Sequence, residues 1–147
     1  MTNTVLISVF LLIGLGLFFS SCKTYYIPVD SFKQQLSGFD SSHMREVTTR
    51  GPVGDRVTYK MYPIDTIHAV DKAGTPVSIA NSPSIEVRIT DTAHKKSLFY
   101  FDLLQFDGEN IIGGQSRFVP SIKKKIPIRS VTTIEVQNGR KNFRYIQ

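Results

Sequence analysis

The sequence predicts a mainly β protein, a small antiparallel barrel or sandwich with one short N-terminal helix, behind a cleaved signal peptide. Several short segments alternate apolar and polar side chains, which is the pattern of half-buried strands. Glycine, proline and asparagine residues separate these segments at short intervals, as is typical of an all-β domain. The first 21 residues differ from the rest, because they are uncharged and strongly apolar.

The N-terminal apolar run extends from Val5 to Phe19 and is followed by two serines and Cys22. It is short for a membrane-spanning helix, which needs about 20 apolar residues. It fits the apolar middle of a secretory signal that ends in small residues at a cleavage point. The first four residues lack the usual lysine or arginine, so an uncleaved signal anchor is the alternative.

The segment Phe19-Ser20-Ser21-Cys22 resembles the lipobox of bacterial lipoproteins. This resemblance implies cleavage before Cys22 and a lipid on its thiol. It also implies an outer-membrane destination, because Lys23 stands where inner-membrane lipoproteins carry aspartate. The sequence is similar to short envelope lipoproteins of Gram-negative anaerobes that have no assigned activity.

These signals divide the chain into a lipoprotein signal peptide (1–21), a lipidated tether (22–30) and a single β-rich domain (31–147). Cys22 is the only cysteine, so an intramolecular disulfide and a cysteine metal site are both excluded. The domain is long enough to bury one hydrophobic core without such cross-links.

The net charge of +6 is concentrated in the last 30 residues. Basic and acidic residues balance from Lys23 to Arg117, whereas Glu135 is the only acidic residue beyond that point. The sequence favours a solvated basic face that only aids solubility. The alternative is an anionic partner, such as lipid headgroups, lipopolysaccharide or an acidic protein, because the signal directs the chain away from nucleic acid. The basic residues are Lys123, Lys124, Lys125, Arg129, Arg140, Lys141 and Arg144.

A short helix is predicted from Phe32 to Ser37. Ser31 and Gln34 have the spacing of a capping box, in which each side chain bonds the other residue's backbone. Phe32 and Leu36 are four residues apart and therefore lie on one helix face.

The remaining chain is predicted to form a loop from Gly38 to Gly54 and then strands. Leu98–Phe106 is apolar on both faces, so it is either a covered central strand or a strand that bends between two layers. Asn138-Gly139 predicts a hairpin between the last two strands. The predicted strands are Arg56–Tyr62, Ile64–Val70, Ser84–Thr90, Leu98–Phe106, Ile111–Val119, Ile126–Ile128, Thr132–Val136 and Asn142–Ile146.

The order of elements from Ser84 to Val136 resembles a small Sm-like barrel. It consists of a strand, a long bent strand, a glycine-bearing strand, a short strand, a brief turn and a final strand. This resemblance concerns the order of elements and implies no function.

Candidate catalytic residues are few. His43, His68 and His94 are far apart and lack metal-ligand spacing, so no metal site is predicted. Asp102 interrupts the most apolar strand, and a buried carboxylate must be paired or protonated. It is an acid at a site, a structural partner of a nearby arginine, Arg88 or Arg117, or a residue that a bend brings to solvent. The two structural alternatives are favoured, because structural ion pairs perturb carboxylates as readily as active sites do.

The sequence therefore favours a non-enzymatic structural or interaction protein without a cofactor, anchored in the envelope through lipidated Cys22. A basic C-terminal hairpin is its candidate contact surface. The alternative is a small ligand carrier or hydrolase with a site near Asp102.

Overall fold

The computed structural model describes residues 22–146, so the predicted signal peptide, residues 1–21, lies outside the described residues. Three 3-10 helices, Ser41–His43, Phe101–Leu103 and Ile128–Ser130, connect the longer elements. The longer elements are helix α1 (Val29–Leu36) and strands β1 (Thr24–Tyr26), β2 (Arg45–Arg50), β3 (Arg56–Met61), β4 (Thr66–Val70), β5 (Pro76–Ala80), β6 (Ile85–Asp91), β7 (Lys96–Tyr100), β8 (Leu104–Phe106), β9 (Asn110–Gly114), β10 (Lys123–Pro127), β11 (Val131–Asn138) and β12 (Arg144–Ile146).

The strands form three antiparallel sheets, which confirms the predicted mainly β class with one short helix. The largest sheet has the order β5-β4-β1-β11-β6-β7. The second has the order β10-β9-β8 and the third β12-β2-β3. Within residues 22–146, no helix has both the length and the apolar character needed to cross a membrane.

The folded domain begins earlier than the sequence predicts. Strand β1 lies in the middle of the large sheet, paired with β11 on one side and β4 on the other. Ile27 follows directly and is only 2% exposed in the main core. The predicted tether of residues 22–30 is therefore wrong beyond Lys23, and the folded domain starts at Thr24 instead of Ser31.

Helix α1 begins at Val29 behind Pro28, whose φ of −54° suits the residue before a helix. The predicted capping box is wrong, because Ser31 lies inside the helix and no side chain caps its N-terminus. Phe32 and Leu36 are both buried in the core, which confirms the predicted apolar face.

The apolar segment Leu98–Phe106 bends between two layers, which is one of the two predicted alternatives. Strand β7 belongs to the large sheet and β8 to the second sheet, and the 3-10 helix Phe101–Leu103 joins them. Gly113 on β9 permits the close approach, since a Cβ there would lie 2.5 Å from Phe99 Cδ1. Both sheets thereby contribute to one core, in which Phe99 and Ile111 are fully buried.

Besides β1, the sequence patterns missed two further strands. Strand β2 lies within the predicted loop Gly38–Gly54. Its Val47 and Thr49 face the interior in alternation, but charged residues at both ends of the strand obscure this pattern in the sequence. Strand β5 pairs with β4 at the edge of the large sheet, and none of its residues is fully buried. Both strands obtain their stability from a neighbouring strand, which short-range periodicity does not reveal.

The predicted C-terminal hairpin is wrong. Strand β11 is flanked by β1 and β6, so neither of its edges is free to pair with β12. Strand β12 instead pairs with β2 in the third sheet. Arg140 and Asn142 adopt φ values of +50° and +57°, which direct the chain after Asn138-Gly139 from one sheet to the other.

Candidate functional site

Asp102 forms a buried ion pair with Arg117, one of the two structural partners predicted for it. The residues are 3% and 2% exposed. Arg117 Nη1 donates to Asp102 Oδ2 at 2.8 Å and Nη2 to Oδ1 at 2.6 Å, so the contact is bidentate. The other predicted candidate, Arg88, lies on the large sheet with its Nη1 atom 3.8 Å from Glu135 Oε2.

Further hydrogen bonds satisfy the Asp102 carboxylate and the terminal nitrogens of Arg117, whereas the buried Arg117 Nε has no hydrogen-bond partner among the described residues. Arg117 Nη1 also donates to the Tyr59 hydroxyl at 2.5 Å, and Nη2 donates to the Pro83 carbonyl at 2.6 Å. The hydroxyl groups of Tyr59 and Tyr145 donate to Asp102 Oδ2. All four terminal N–H groups of the guanidinium therefore have an acceptor, which a buried charge requires.

Aromatic rings enclose the guanidinium and increase its electrostatic stabilisation. The Arg117 Cζ atom lies 4.3 Å from the ring centre of Tyr100, within the range of a cation–π contact. Burial raises the pKa of Tyr59 and Tyr145 far above the usual range, and the Asp102 charge adds to this effect. Burial alone would lower the pKa of Arg117, but hydrogen bonding and charge from Asp102 raise it overall.

The network leaves Asp102 without access to a substrate. The crevice beside it is lined by Leu36, Tyr62, Ile64, Asn81, Phe101 and Leu104, and it is too narrow to hold a water molecule. Both carboxylate oxygens already accept hydrogen bonds from Arg117 or the tyrosines. The arrangement therefore joins β3, β12 and the loop after β9 to the Phe101–Leu103 helix.

The basic residues on β10 and the following helix do not share one surface. Lys123 and Lys125 are exposed on β10, and Lys125 Nζ lies 3.4 Å from Asp107 Oδ2. Lys124 points to the other face, where its Nζ donates to Ser97 Oγ at 2.5 Å. Arg129 is exposed in the next 3-10 helix.

The C-terminal basic residues are also separated, because the predicted hairpin does not form. Lys141 Nζ lies 2.5 Å from Oε1 of Glu86, a buried residue that is 5% exposed. This hydrogen bond raises the pKa of Lys141. Arg140 lies beside Cys22 in an open groove, whereas Arg144 lies on β12 in the third sheet.

Arg144 belongs to an arginine row that the sequence did not reveal. In the third sheet, Arg144 stands opposite Arg50, and Arg50 stands opposite Arg56. All three side chains are exposed, and none forms a salt bridge with another residue in the range 22–146. Like charges on directly opposed strand residues repel each other, so this row lowers the stability of the sheet.

Cys22 is exposed at the start of β1 and borders two open grooves. Their volumes are about 570 and 550 Å³. Lys23 and Tyr25 line both grooves, while Lys72 lines the first and Arg140 the second. The thiol is thus accessible and lies among cationic side chains.

The three histidines occupy separate surface positions. His43 Nδ1 lies 3.0 Å from Asp40 Oδ1 at a capped 3-10 helix. His68 is exposed on β4, and His94 lies in the turn after β6 with a φ of +58°. Across residues 22–146, no three histidine, cysteine, aspartate or glutamate side chains are grouped to hold a metal ion.

The chain matches no protein-family model, and no curated protein or solved structure is significantly similar to it.

Proposed function

We propose that this protein is a lipid-anchored component of the bacterial envelope with a non-enzymatic structural or interaction role. The observation that carries the proposal is the lipobox-like segment ending at Cys22, together with the exposure of this cysteine two residues before β1. The lipid on Cys22 is the membrane attachment, and Lys23 in the following position favours the outer membrane.

The position of β1 supports a close attachment to the membrane. Only Lys23 separates Cys22 from Thr24, the first residue of the large sheet. Each buried methylene of an acyl chain contributes about 0.8 kcal/mol, and two chains hold a protein far more firmly than one. A diacylated Cys22 would thus keep the domain permanently beside the headgroups.

The role of Asp102 supports a non-enzymatic function. Its carboxylate is held by Arg117, Tyr59 and Tyr145, and the crevice beside it excludes water. In residues 22–146, the crevice beside Asp102 is therefore too small to hold the ligand that the alternative, a carrier or hydrolase, would need.

Mass spectrometry of the mature N-terminus tests the anchor. We expect a chain that begins at Cys22 and carries a diacylglyceryl group on its thiol. Cys22→Ser should abolish the lipid and release the protein from membrane fractions, whereas Ser78→Ala, a change at an exposed position on β5, should not. An intact Met1 or an unmodified Cys22 contradicts the proposal.

Membrane fractionation tests the destination. Lys23→Asp should shift the lipidated protein from the outer to the inner membrane, because aspartate after the lipidated cysteine resembles the retention signal. Lys23→Gln, which also removes the positive charge, should leave it in the outer membrane. Equal distributions of the two variants would contradict the outer-membrane assignment.

A further inference from the structure

Four strand ends meet at the end of the large sheet where Cys22 is attached. Strand β1 begins here at Thr24, opposite Gln137, and β11 ends here at Asn138. Asn138 stands opposite Ile85, the first residue of β6, and β7 ends beside it at Tyr100. We call this edge of the molecule the anchor end.

An exposed apolar loop lies at the anchor end. The β9–β10 connection carries Phe118, Val119 and Ile122, which are 61%, 44% and 56% exposed. The ring of Phe118 lies 6.2 Å from that of Phe143, which in turn lies 6.3 Å from that of Tyr100. Since Tyr100 ends β7, these ring contacts place the loop at the anchor end.

A second exposed apolar tip lies in the third sheet, next to the strand that follows Phe143. Val53, which is 84% exposed, is at the tip of the β2–β3 turn. The turn begins directly after Arg50, which stands opposite Arg144, and Arg144 follows Phe143 in the chain. Four of the five exposed large hydrophobic residues in the range 22–146 thus belong to these two loops.

Basic residues flank each of the two apolar loops. The row of Arg50, Arg56 and Arg144 flanks the Val53 turn, and Lys123 follows Ile122. Apolar side chains surrounded by basic residues are typical of surfaces that lie in an anionic membrane interface. Such a surface also explains the repulsive arginine row, because headgroup phosphates compensate its charge and guanidinium groups bind phosphate in a bidentate manner.

We propose that the anchor end is a membrane-docking face, in which the Val53 and Phe118 loops enter the headgroup region of a bilayer containing anionic lipids. The inference deepens the proposed function and rests on it, since the acylated Cys22 brings this end to the bilayer. Three strand spacings, about 14 Å, separate β1 from β7. The large-sheet part of this end is therefore narrow enough for the lipid and the Phe118 loop to contact one membrane surface. The exposed arginines beside the Val53 turn favour anionic lipid headgroups as the occupant.

Fluorescence of an introduced tryptophan tests insertion, because the chain contains no tryptophan of its own. The probe is the unlipidated chain of residues 22–147 with Cys22→Ser, which contains all residues of both core clusters. We expect the emission of Phe118→Trp to shift to the blue when phosphatidylethanolamine vesicles with phosphatidylglycerol are added. Ala93→Trp, in the exposed turn at the opposite end of β6, should not shift.

Vesicle sedimentation tests the cations. The triple variant Arg50→Gln, Arg56→Gln and Arg144→Gln should lower the partition coefficient roughly tenfold or more at low salt. The triple variant Lys95→Gln, Lys96→Gln and Arg129→Gln removes the same charge at the opposite end and should lower it far less. Thermal unfolding of both variants shows whether each remains folded.

Three outcomes would overturn the docking face. They are the absence of a vesicle-induced shift, equal losses in the two triple variants, and a blue shift that depends on protein concentration without vesicles. The last outcome would mean that a second copy covers the loops. Because the chain tested carries no lipid, these results are independent of the mass spectrum that tests Cys22, and failure of either proposal is recognised separately.

Discussion

Arginine is used in opposite ways in two regions of this molecule. Arg117 is buried, bound to Asp102 through two hydrogen bonds and enclosed by tyrosine rings. Arg50, by contrast, is exposed between two other arginines and has no salt bridge in the described part of the chain. The comparison indicates that the first region contributes to the stability of the fold, whereas the second brings like charges face to face without a salt-bridge partner in residues 22–146.

Removing the buried charge should have the largest effect on stability. Arg117→Met leaves the Asp102 carboxylate buried without its partner, which we expect to lower the free energy of unfolding by about 3–5 kcal/mol. Arg88→Met is a matched control, because Arg88 is partly exposed and 3.8 Å from Glu135, and should cost less than about 1 kcal/mol. Urea unfolding measures both changes.

The double variant Asp102→Leu with Arg117→Met sharpens the comparison. It removes both charges, so we expect it to cost less than the sum of the two single variants in a double-mutant cycle. Equal losses for Arg117→Met and Arg88→Met would show that the buried pair does not stabilise the fold more than a surface pair does.

Removing an exposed charge should have a smaller effect of the opposite sign. Arg50→Thr relieves repulsion from both neighbouring arginines, and we expect it to raise the free energy of unfolding by roughly 0.2–1 kcal/mol. The gain should decrease at high salt, because ions screen exposed charges. The control Lys60→Thr, which removes a lysine opposite Glu46, should give no gain. A loss of stability in Arg50→Thr would contradict the repulsive character of the row.

The smallest effect concerns a surface carboxylate, which contrasts with buried Asp102. Backbone N–H groups of Glu109 and Asn110 donate to Asp107 and lower its pKa to about 2. Because folding lowers the pKa of Asp107, its ionised carboxylate stabilises the fold above the ordinary pKa of 3.8. This stabilisation is lost as the pH falls toward 2. Asp107→Asn should therefore weaken the dependence of the thermal midpoint on pH between about 4 and 2.

The control for this titration is Glu109→Gln in the same turn, which leaves both backbone donors of the Asp107 bonds in place. It should preserve the part of the pH dependence that Asp107 supplies. An identical pH profile for Asp107→Asn and the original chain would show that these hydrogen bonds are not coupled to folding.

The sequence predicted strands well where apolar residues alternate and a turn follows. It predicted β3 and β6 closely, and it identified the bend in Leu98–Phe106 as an alternative because that segment is apolar on both faces. It missed β2 and β5, whose polar residues become strands through pairing with β3 and β4. Local periodicity contains no information about such pairing.

At the candidate site, too, local sequence patterns predicted some features and strand pairing decided the others. The place of Asp102 in an apolar segment made burial one of its predicted alternatives, and Arg117 was one of two partners proposed for it. The basic C-terminal residues were expected on one hairpin, but β11 already had two neighbours and β12 paired with β2. Pairing with β2 brought Arg144 to Arg50, and sequence proximity gave no indication of this contact.

The sequence by itself determined the mainly β class, the apolar faces of the best strands and the lipobox-like segment that makes Cys22 the predicted anchor. These features depend on residue types at short spacings, which the chain displays before it folds. Only the tertiary structure decided that Asp102 pairs with Arg117, that three distant arginines form a row and that two apolar loops lie at the anchor end. The physical reason is that strand pairing and burial join residues far apart in the chain.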